Sequence, residues 1–379
     1  MDDRFEQAKA QFFAALGRQQ AGDFAEAERL YRASLELVPG RASTLINLAA
    51  TQLQLARPAD ALQSADGALA AERNSVDALL HRGTALAQLG RPDEALAAFH
   101  RLLAIDPHHA TAWSRSGTVL REAGRLDEAA HAFRAALRHG ADPELHAFYL
   151  ASVQAGAAPA TAPAAYVAGL FDSYADEFDS HLVGALRYQA HRRLVDQLVA
   201  TCGQDARFRS ALDLGCGTGL CGPLVRPMAA RLTGIDLSAR MIEKARLLGV
   251  YDHLEQDDVI DFLDRSEDPW DLVLAADVFI YVGDLEPVFA RLEHAMVEGV
   301  FCFSVESVED AGAGVRLLPS LRYAHSEAYL ERLASQHGFE VVAMEHGPVR
   351  EDQGQLIDGL YVILRREPTQ IRAQVTLAK

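Results

Sequence analysis

Residues 211–219 have the sequence Ala-Leu-Asp-Leu-Gly-Cys-Gly-Thr-Gly. A short, mostly apolar run enters three glycines at alternate positions, which is typical of a buried strand that turns sharply into a helix. Glycine lets the backbone turn tightly and approach a ligand closely. The next apolar run ends at Asp236, whose carboxylate can accept hydrogen bonds from ribose hydroxyls. The pattern predicts a nucleoside-binding strand, turn and helix.

The spacing of the glycines distinguishes two kinds of nucleoside site. A dinucleotide fingerprint G-x-G-x-x-G that starts at Gly215 requires a third glycine at position 220, where this chain has Leu220. The glycines stand instead at Gly215, Gly217 and Gly219. A nicotinamide oxidoreductase is therefore disfavoured.

The segments that follow the turn have the order expected of an open α/β sheet. Ser238 is placed to cap a helix over residues 239–248. Residues 270–277 predict a buried strand, and residues 340–345 and 360–365 predict the last two strands. Because ligands of such sheets bind at the carboxyl ends of the strands, these features converge on a single crevice.

The first third of the chain repeats with a period of 34 residues. Ala27, Ala61, Ala95 and Ala129 are in register, and in three of the four units an aromatic residue stands four positions after the alanine. The pattern resembles the tetratricopeptide repeat, in which two helices cross at a small residue. A stack of such helix pairs has a concave face that commonly binds peptides. The resemblance therefore implies a protein or peptide partner at that face.

The second half of the chain, about residues 165–367, resembles the class I S-adenosylmethionine-dependent methyltransferases. The likeness is carried by the glycine turn, the acidic end of the second strand and the strand 270–277. Residues 170–175, 277–285 and 322–326 are especially similar to bacterial methyltransferases that carry N-terminal tetratricopeptide repeats. The resemblance implies a Rossmann-like, seven-stranded domain with S-adenosylmethionine as its cofactor.

The predicted fold is therefore multidomain: an α-solenoid followed by an α/β domain. Residues 1–142 are expected to form an array of about four repeats, and residues 143–164 a capping helix and linker. Residues 165–368 are expected to form the methyltransferase domain with lid helices at its start. Residues 369–379 are predicted to be a tail.

Charge and composition exclude several classes of partner. The net charge is −17, of which residues 1–150 carry −3 and residues 151–379 carry −14. An acidic second half disfavours nucleic acid and anionic membranes as partners. The first residues contain no apolar stretch typical of an export signal, so a cytoplasmic location is expected. The four cysteines lack the spacing of a zinc site, so no metal is expected.

The resemblance also implies roles for individual residues. Asp236 is expected to bind the ribose. Met241 is expected either to pack on the adenine or to fill the core. Asp258, in preference to Asp257, is expected to face the adenine amino group, and Tyr174 to act as a lid. The full set of expected cofactor-binding residues is Asp213, Gly215, Gly217, Gly219, Asp236, Leu237, Met241, Asp257, Asp258, Val259, Ala276 and Tyr174.

Two residues are candidates for catalysis on the acceptor. Tyr281 comes just after the fourth predicted strand. His325 could be a general base near neutral pH, or it could merely precede Ser326 at the start of a helix. Further candidates on the acceptor side are Glu306, Arg322 and Tyr323.

Two functions remain open from the sequence. The first is an active methyltransferase acting on a small molecule or on a carrier- or protein-tethered acceptor, with the repeats docking a protein partner. The second is an interaction scaffold in which the methyltransferase fold is not catalytic. The intact glycines, together with Asp236 and Asp258, favour the active enzyme.

Overall fold

The chain divides into two compact units, Met1–Ala155 and Gly156–Lys379, each with its own core. We describe them in a computed structural model. The residues that this structure describes are 2–154, 156–175, 189–266, 268–309, 314–352 and 354–368.

Within its described residues, the first unit consists of helices joined by short turns. The helices are α1 (Asp2–Gln20), α2 (Phe24–Leu37), α3 (Ala42–Gln54), α4 (Pro58–Ala71), α5 (Val76–Gln88), α6 (Pro92–Ile105), α7 (Ala110–Glu122), α8 (Leu126–Arg138) and α9 (Pro143–Val153). The turn inside each of the first four helix pairs contains one residue with a positive φ. Three of these residues are glycines, and the fourth is Ala56, with φ 54°.

The residues that recur every 34 positions form the core of the helix pairs. The four alanines that define the period are fully buried. In the fourth pair, the ring of Phe133 lies directly on Gly117, and a Cβ atom at Gly117 would be 2.5 Å from the ring. Phe99 covers Gly83 of the third pair in the same way. The predicted array of paired helices is therefore confirmed, and the glycine and the aromatic ring of a pair are complementary in shape.

The second unit is an α/β domain. Its strands are β1 (Phe208–Leu214), β2 (Ala229–Asp236), β3 (His253–Gln256), β4 (Leu272–Ala275), β5 (Gly299–Ser307), β6 (Val315–Leu317), β7 (Tyr323–His325), β8 (Glu340–Asp352) and β9 (Gln355–Arg366). Its helices are α10 (Ala164–Tyr174), α11 (Ala190–Cys202), α12 (Gly222–Val225), α13 (Ala239–Leu247), α14 (Val259–Arg265), α15 (Glu286–Ala295) and α16 (Glu327–Gln336).

The order of the strands creates the crevice predicted from the sequence. Strands β3, β2, β1, β4 and β5 lie side by side and run parallel. The chain moves from β1 outward to β2 and β3, and then returns to β4 on the other side of β1. Such a reversal opens a crevice at the carboxyl ends of β1 and β4, where open α/β sheets bind ligands.

Among the described residues the sheet has nine strands, where seven were expected. β9 pairs antiparallel with β5 along Gly299–Glu306, and β8 pairs with β9. The two additional strands are β6 and β7. β7 pairs with β5 at Glu306 and Ser307, beyond the point where β4 ends, and β6 pairs with β7. The extra strands therefore lie at the same end of the sheet as the crevice.

The sheet is covered on both faces, and β5 shows how its side chains alternate. Phe301 and Phe303 belong to an aromatic core that packs against α15 and α16. Val300 and Cys302 belong to a second core that packs against α11. Because successive residues of a strand point to opposite faces, a continuous apolar run is what a strand between two helical layers requires.

Part of the predicted linker belongs to the second unit. The N–H of Gly283 donates to the carbonyl oxygen of Ala160 over 2.8 Å. The hydroxyl of Tyr323 donates to the carbonyl oxygen of Pro159 over 2.7 Å. Residues 159–160 are therefore fixed to the loop that follows β4 and to β7.

Two further findings concern the described residues as a whole. None of their helices is long and apolar enough to cross a membrane. In the same part of the chain, no three side chains of His, Cys, Asp or Glu are grouped so that they could hold a metal ion.

The contact between Gly117 and Phe133 predicts a large effect of a single methyl group. Gly117→Ala should destabilise the protein by about 1–3 kcal/mol, because the added Cβ overlaps a buried ring. Gly17→Ala is the control, since Gly17 is an exposed helical residue with no atom within 4 Å of an added Cβ. It should stabilise by up to about 1 kcal/mol, the usual gain of alanine over glycine in a helix. Urea unfolding followed by helical circular dichroism measures both, and equal effects of the two substitutions would contradict the packing described.

Candidate active site

A cavity of about 370 Å³ lies at the carboxyl ends of β1 and β4. Its walls are the glycine turn after β1, the end of β2, the start of α14, the segment after β4 and the inner face of α10. It occupies the crevice where the strand order reverses. Parts of the chain far apart in sequence thus meet around one space.

The three glycines of the turn all have a positive φ: 61° at Gly215, 56° at Gly217 and 92° at Gly219. A Cβ atom at Gly215 would lie 2.5 Å from Val278, and one at Gly219 would lie 2.8 Å from Leu248. A Cβ atom at Gly217 would meet nothing within 4 Å. Gly215 and Gly219 therefore allow close packing, whereas Gly217 leaves the backbone of the cavity wall bare.

Asp236 connects the glycine turn to the end of β2. Its Oδ2 accepts a hydrogen bond from the N–H of Gly217 over 2.9 Å, and its Oδ1 accepts one from the N–H of Ser238 over 2.8 Å. Burial raises the pKa of Asp236 to about 6, although both hydrogen bonds lower it. The carboxylate lines the cavity, and each oxygen retains a lone pair that can accept a further hydrogen bond.

Asp213 makes the same wall acidic. Its side chain is buried, and its Oδ2 accepts a hydrogen bond from the hydroxyl of Tyr251 over 2.6 Å. Burial raises the pKa of Asp213 to about 7, and the nearby carboxylate of Asp236 adds to that increase. Two partly desolvated carboxyl groups favour a cationic ligand on this side of the cavity.

Two more carboxyl groups follow β3 and line the cavity. Oδ1 of Asp258 accepts a hydrogen bond from the N–H of Ile260 over 2.7 Å and so caps α14. Asp257 forms an ion pair with Arg265. Val259 lies in the same wall. The expectation that Asp258, in preference to Asp257, meets an adenine stays a prediction.

Helix α10 covers the cavity and is attached to the start of α13. The hydroxyl of Ser238 donates to Oδ1 of Asp172 over 2.5 Å, and the guanidinium of Arg240 donates to the carbonyl oxygen of Asp172 over 2.9 Å. Phe171 of α10 lines the cavity. The side chain of Tyr174, the expected lid residue, lies outside the described residues. Sequence reasoning did not find Asp172, because nothing in a helical pattern shows what its polar face contacts.

Two guanidinium groups line the opposite end of the cavity. Arg350, from β8, forms an ion pair with Glu306 and lies 3.4 Å from Oδ1 of Asp277. Arg322, which precedes β7, is the second. Burial raises the pKa of Asp277, against the opposing effect of both arginines. Asp277 also has a φ of 60°, which is uncommon for a residue other than glycine and marks a constrained position.

Tyr281, a candidate for catalysis, lies at this end of the cavity. Its ring meets the ring of Phe171 edge to face, with 5.6 Å between the centroids. Its side chain is hydrogen-bonded to Arg322, and burial raises the pKa of its hydroxyl. Tyr281 therefore contacts both the apolar face of α10, through Phe171, and the charged end of the cavity, through Arg322.

His325 does not reach the cavity, and its predicted role as a general base needs correction. The imidazole is fully buried on β7, and its Nε2 lies 3.0 Å from the carbonyl oxygen of Gly283. Burial lowers the pKa of His325 to about 4. A buried, neutral ring that donates to a backbone carbonyl holds the loop after β4 in place.

Two expected cofactor residues also lie outside the cavity wall. Met241 is fully buried in the first turn of α13, where its N–H donates to the hydroxyl of Ser238 over 3.1 Å. Gly219 packs against α13 and the residues after it. The predicted residues that do line the cavity are Asp213, Gly215, Gly217, Asp236, Leu237, Asp257, Asp258, Val259, Ala276, Tyr281 and Arg322.

Comparison with known proteins identifies both units. A family model described as a methyltransferase domain matches residues 212–302. A tetratricopeptide repeat model matches residues 46–110, 80–146 and 114–168. The chain joins tetratricopeptide repeats to a methyltransferase domain. Such a domain implies S-adenosylmethionine as the methyl donor, in agreement with the glycine spacing.

Three curated relatives cover different shares of this chain. A ubiquinone biosynthesis O-methyltransferase of Xylella fastidiosa is 27% identical over 209 residues, 49% of this chain and 81% of that enzyme. The malonyl-[acyl-carrier protein] O-methyltransferase of Enterobacter lignolyticus is 29% identical over 40% of this chain and 61% of that enzyme. Nodulation protein S of Bradyrhizobium diazoefficiens is 28% identical over 26% of this chain. The match spans 47% of the length of that relative.

The raised pKa of Asp213 predicts a pH-dependent stability. The native pKa of about 7 lies above the ordinary value of 3.8, so the folded protein keeps a proton that the unfolded chain releases. Asp213 therefore contributes stability that is present below about pH 4 and lost as the pH rises through about 7. Urea unfolding across this range should show that the free energy of unfolding falls more in the wild type than in Asp213→Asn.

The Asp213→Asn variant retains an oxygen that can accept the hydrogen bond from Tyr251. Asp264→Asn, at an exposed position of α14, is the control for the loss of one surface carboxyl group. If wild type and Asp213→Asn lose stability equally between about pH 4 and 7, the proposed titration of Asp213 is wrong.

Proposed function

We propose that this chain is an S-adenosylmethionine-dependent methyltransferase whose acceptor binds at the arginine end of the cavity. The observation that carries the proposal is the carboxylate of Asp236, which lies in the cavity wall and is held by backbone N–H groups of the glycine turn and of Ser238. A scaffold with a degenerate fold has no need for this arrangement. The alternative of a non-catalytic scaffold is therefore disfavoured.

The donor groups around the cavity fit this cofactor. Asp236 would bind the ribose hydroxyls, and Asp258 together with Val259 would hold the adenine. The bare backbone at Gly217 leaves room for the amino acid part, since an added Cβ there meets no atom within 4 Å. The acidic wall that includes Asp213 matches the positive charge of the sulfonium compound.

Methyl transfer requires the protein mainly to position the acceptor relative to the methyl group. S-Adenosylmethionine supplies an electrophilic methyl group. The residues of this chain must hold an acceptor in line with that group and keep water away. Helix α10 serves the second purpose, because its apolar face closes the cavity and Asp172 fixes it to α13. Tyr281 and Arg322 are placed to orient an acceptor.

The acceptor is proposed to be a small molecule or a group carried by a protein. Two of the three relatives are O-methyltransferases by name, and one of these acts on a malonyl-[acyl-carrier protein]. These names support oxygen as the methylated atom and a carrier as one source of the acceptor. They do not extend to the identity of the substrate.

The repeats are proposed to bind a protein partner, including a carrier that delivers the acceptor. The first helices of the repeats carry partly exposed residues of mixed polarity at the positions expected for the inner face. These residues include Phe12, Ile46, Leu80 and Thr118. Such a surface suits a peptide with both apolar and polar contacts.

Binding of S-adenosylhomocysteine, measured by calorimetry, tests the proposed function. The wild type should bind it, and Asp236→Ala should weaken the affinity by about 10- to 100-fold, the usual cost of losing hydrogen bonds to a charged group. Asp264→Ala, which removes an exposed carboxyl group of α14, should bind as the wild type does.

Absence of binding in wild-type protein that is shown to be folded would refute the proposal. Unchanged affinity in Asp236→Ala would refute the role of this carboxylate at the ribose. Binding of NADH in place of S-adenosylhomocysteine would favour the oxidoreductase that the glycine spacing disfavours.

A further inference from the structure

We infer that the acceptor is a carboxylate, bound by Arg322 and Arg350 and converted to a methyl ester. The inference rests on the proposed methyltransferase function and names the class of its substrate. It is drawn from the charged groups at the end of the cavity beyond Asp277.

The charges that face the cavity at this end favour an anion. Four charged side chains form the cluster: Asp277, Glu306, Arg322 and Arg350. Glu306 does not line the cavity; it lies behind the wall and pairs with Arg350. The surface that a ligand meets therefore has two guanidinium groups and one carboxyl group. That carboxyl group, Asp277, is itself paired with Arg350.

Arginine has the geometry that a carboxylate requires. A guanidinium has five N–H donors in a planar fork, which matches the two oxygens of a carboxylate. Arg350 is held in place by Glu306, so its orientation is fixed before a ligand arrives.

The cluster is built from four separate parts of the chain, and its Glu306 lies on β5. Asp277 follows β4, Arg322 precedes β7, and Arg350 stands in β8 after a bulge at residues 348–350. The bulge makes Val349 and Arg350 buried neighbours, where a regular strand would alternate. Through this bulge the side chain of Arg350, near the end of β8, is buried and lines the cavity.

A carboxylate acceptor needs no general base, because it carries no proton that must be removed. One carboxylate oxygen attacks the methyl carbon, and the bond from that carbon to sulfur breaks with its electron pair going to sulfur. The products are a methyl ester and S-adenosylhomocysteine, and no proton is transferred. His325 lies outside the cavity, and His191 lines it. The reaction proposed requires neither.

The test uses the full-length chain and S-adenosylmethionine labelled in its methyl group. The acceptors are aliphatic dicarboxylic acids, aromatic acids, long-chain fatty acids and a malonyl thioester, each beside its amide, which carries no charge. A clarified bacterial lysate is a further source of acceptors. Methyl esters release their label as volatile methanol in mild base, whereas methyl ethers and N-methyl groups retain it. We expect base-labile label from at least one of the acids or from the lysate, and none from the amides.

Arg322→Gln should reduce ester formation by at least about tenfold, because a charged bidentate contact is lost. Its affinity for S-adenosylhomocysteine should stay within about threefold of the wild type, which also shows that the variant is folded. Arg316→Gln is the matched control, since Arg316 is an exposed arginine on β6 outside the cavity. It should leave both quantities unchanged.

The outcomes separate the inference from the function on which it rests. A wild-type chain that does not bind S-adenosylhomocysteine refutes the methyltransferase function and the inference with it. A chain that binds this compound but yields only base-stable label, or no label, overturns the carboxylate inference alone. Base-stable label in an amine would indicate that Asp277 binds a cationic acceptor. Full ester formation by Arg322→Gln would also overturn the assignment of this arginine.

Discussion

The hydrogen bonds between Asp236 and the glycine turn are the constraint on which the site depends. They join the loops after β1 and β2, while β4 packs on the other side of β1. The turn exists because three residues adopt a positive φ, and two of these have no room for a side chain. Burial disfavours the charged form of Asp236 and raises its pKa, but its hydrogen bonds fix the positions of Gly217 and Ser238.

The cavity built on this turn has two ends of opposite character. The end near Asp213 and Asp236 is acidic and suits a cationic methyl donor. The other end carries Arg322 and Arg350 and suits an anionic acceptor. Helix α10 closes the space between them with an apolar face.

The parts of this molecule that were predictable from the sequence are those with a local pattern. The 34-residue period identified the helix pairs, and the glycine turn together with Asp236 predicted one wall of the cavity. Strands β6 and β7, at three residues each, are too short to show a pattern, so a seven-stranded sheet was expected. Arg350 was missed because a bulge breaks the alternation of β8. His325 was misplaced because sequence does not show which face of a short strand meets the cavity.

A crystal structure of the full-length chain with S-adenosylhomocysteine tests the central claim most directly. The account predicts that both ribose hydroxyls lie within hydrogen-bond distance of Asp236. It also predicts that the sulfur faces the end of the cavity formed by Asp277, Tyr281 and Arg322. A ligand bound elsewhere, or bound in the cavity with its ribose away from Asp236, would contradict the account.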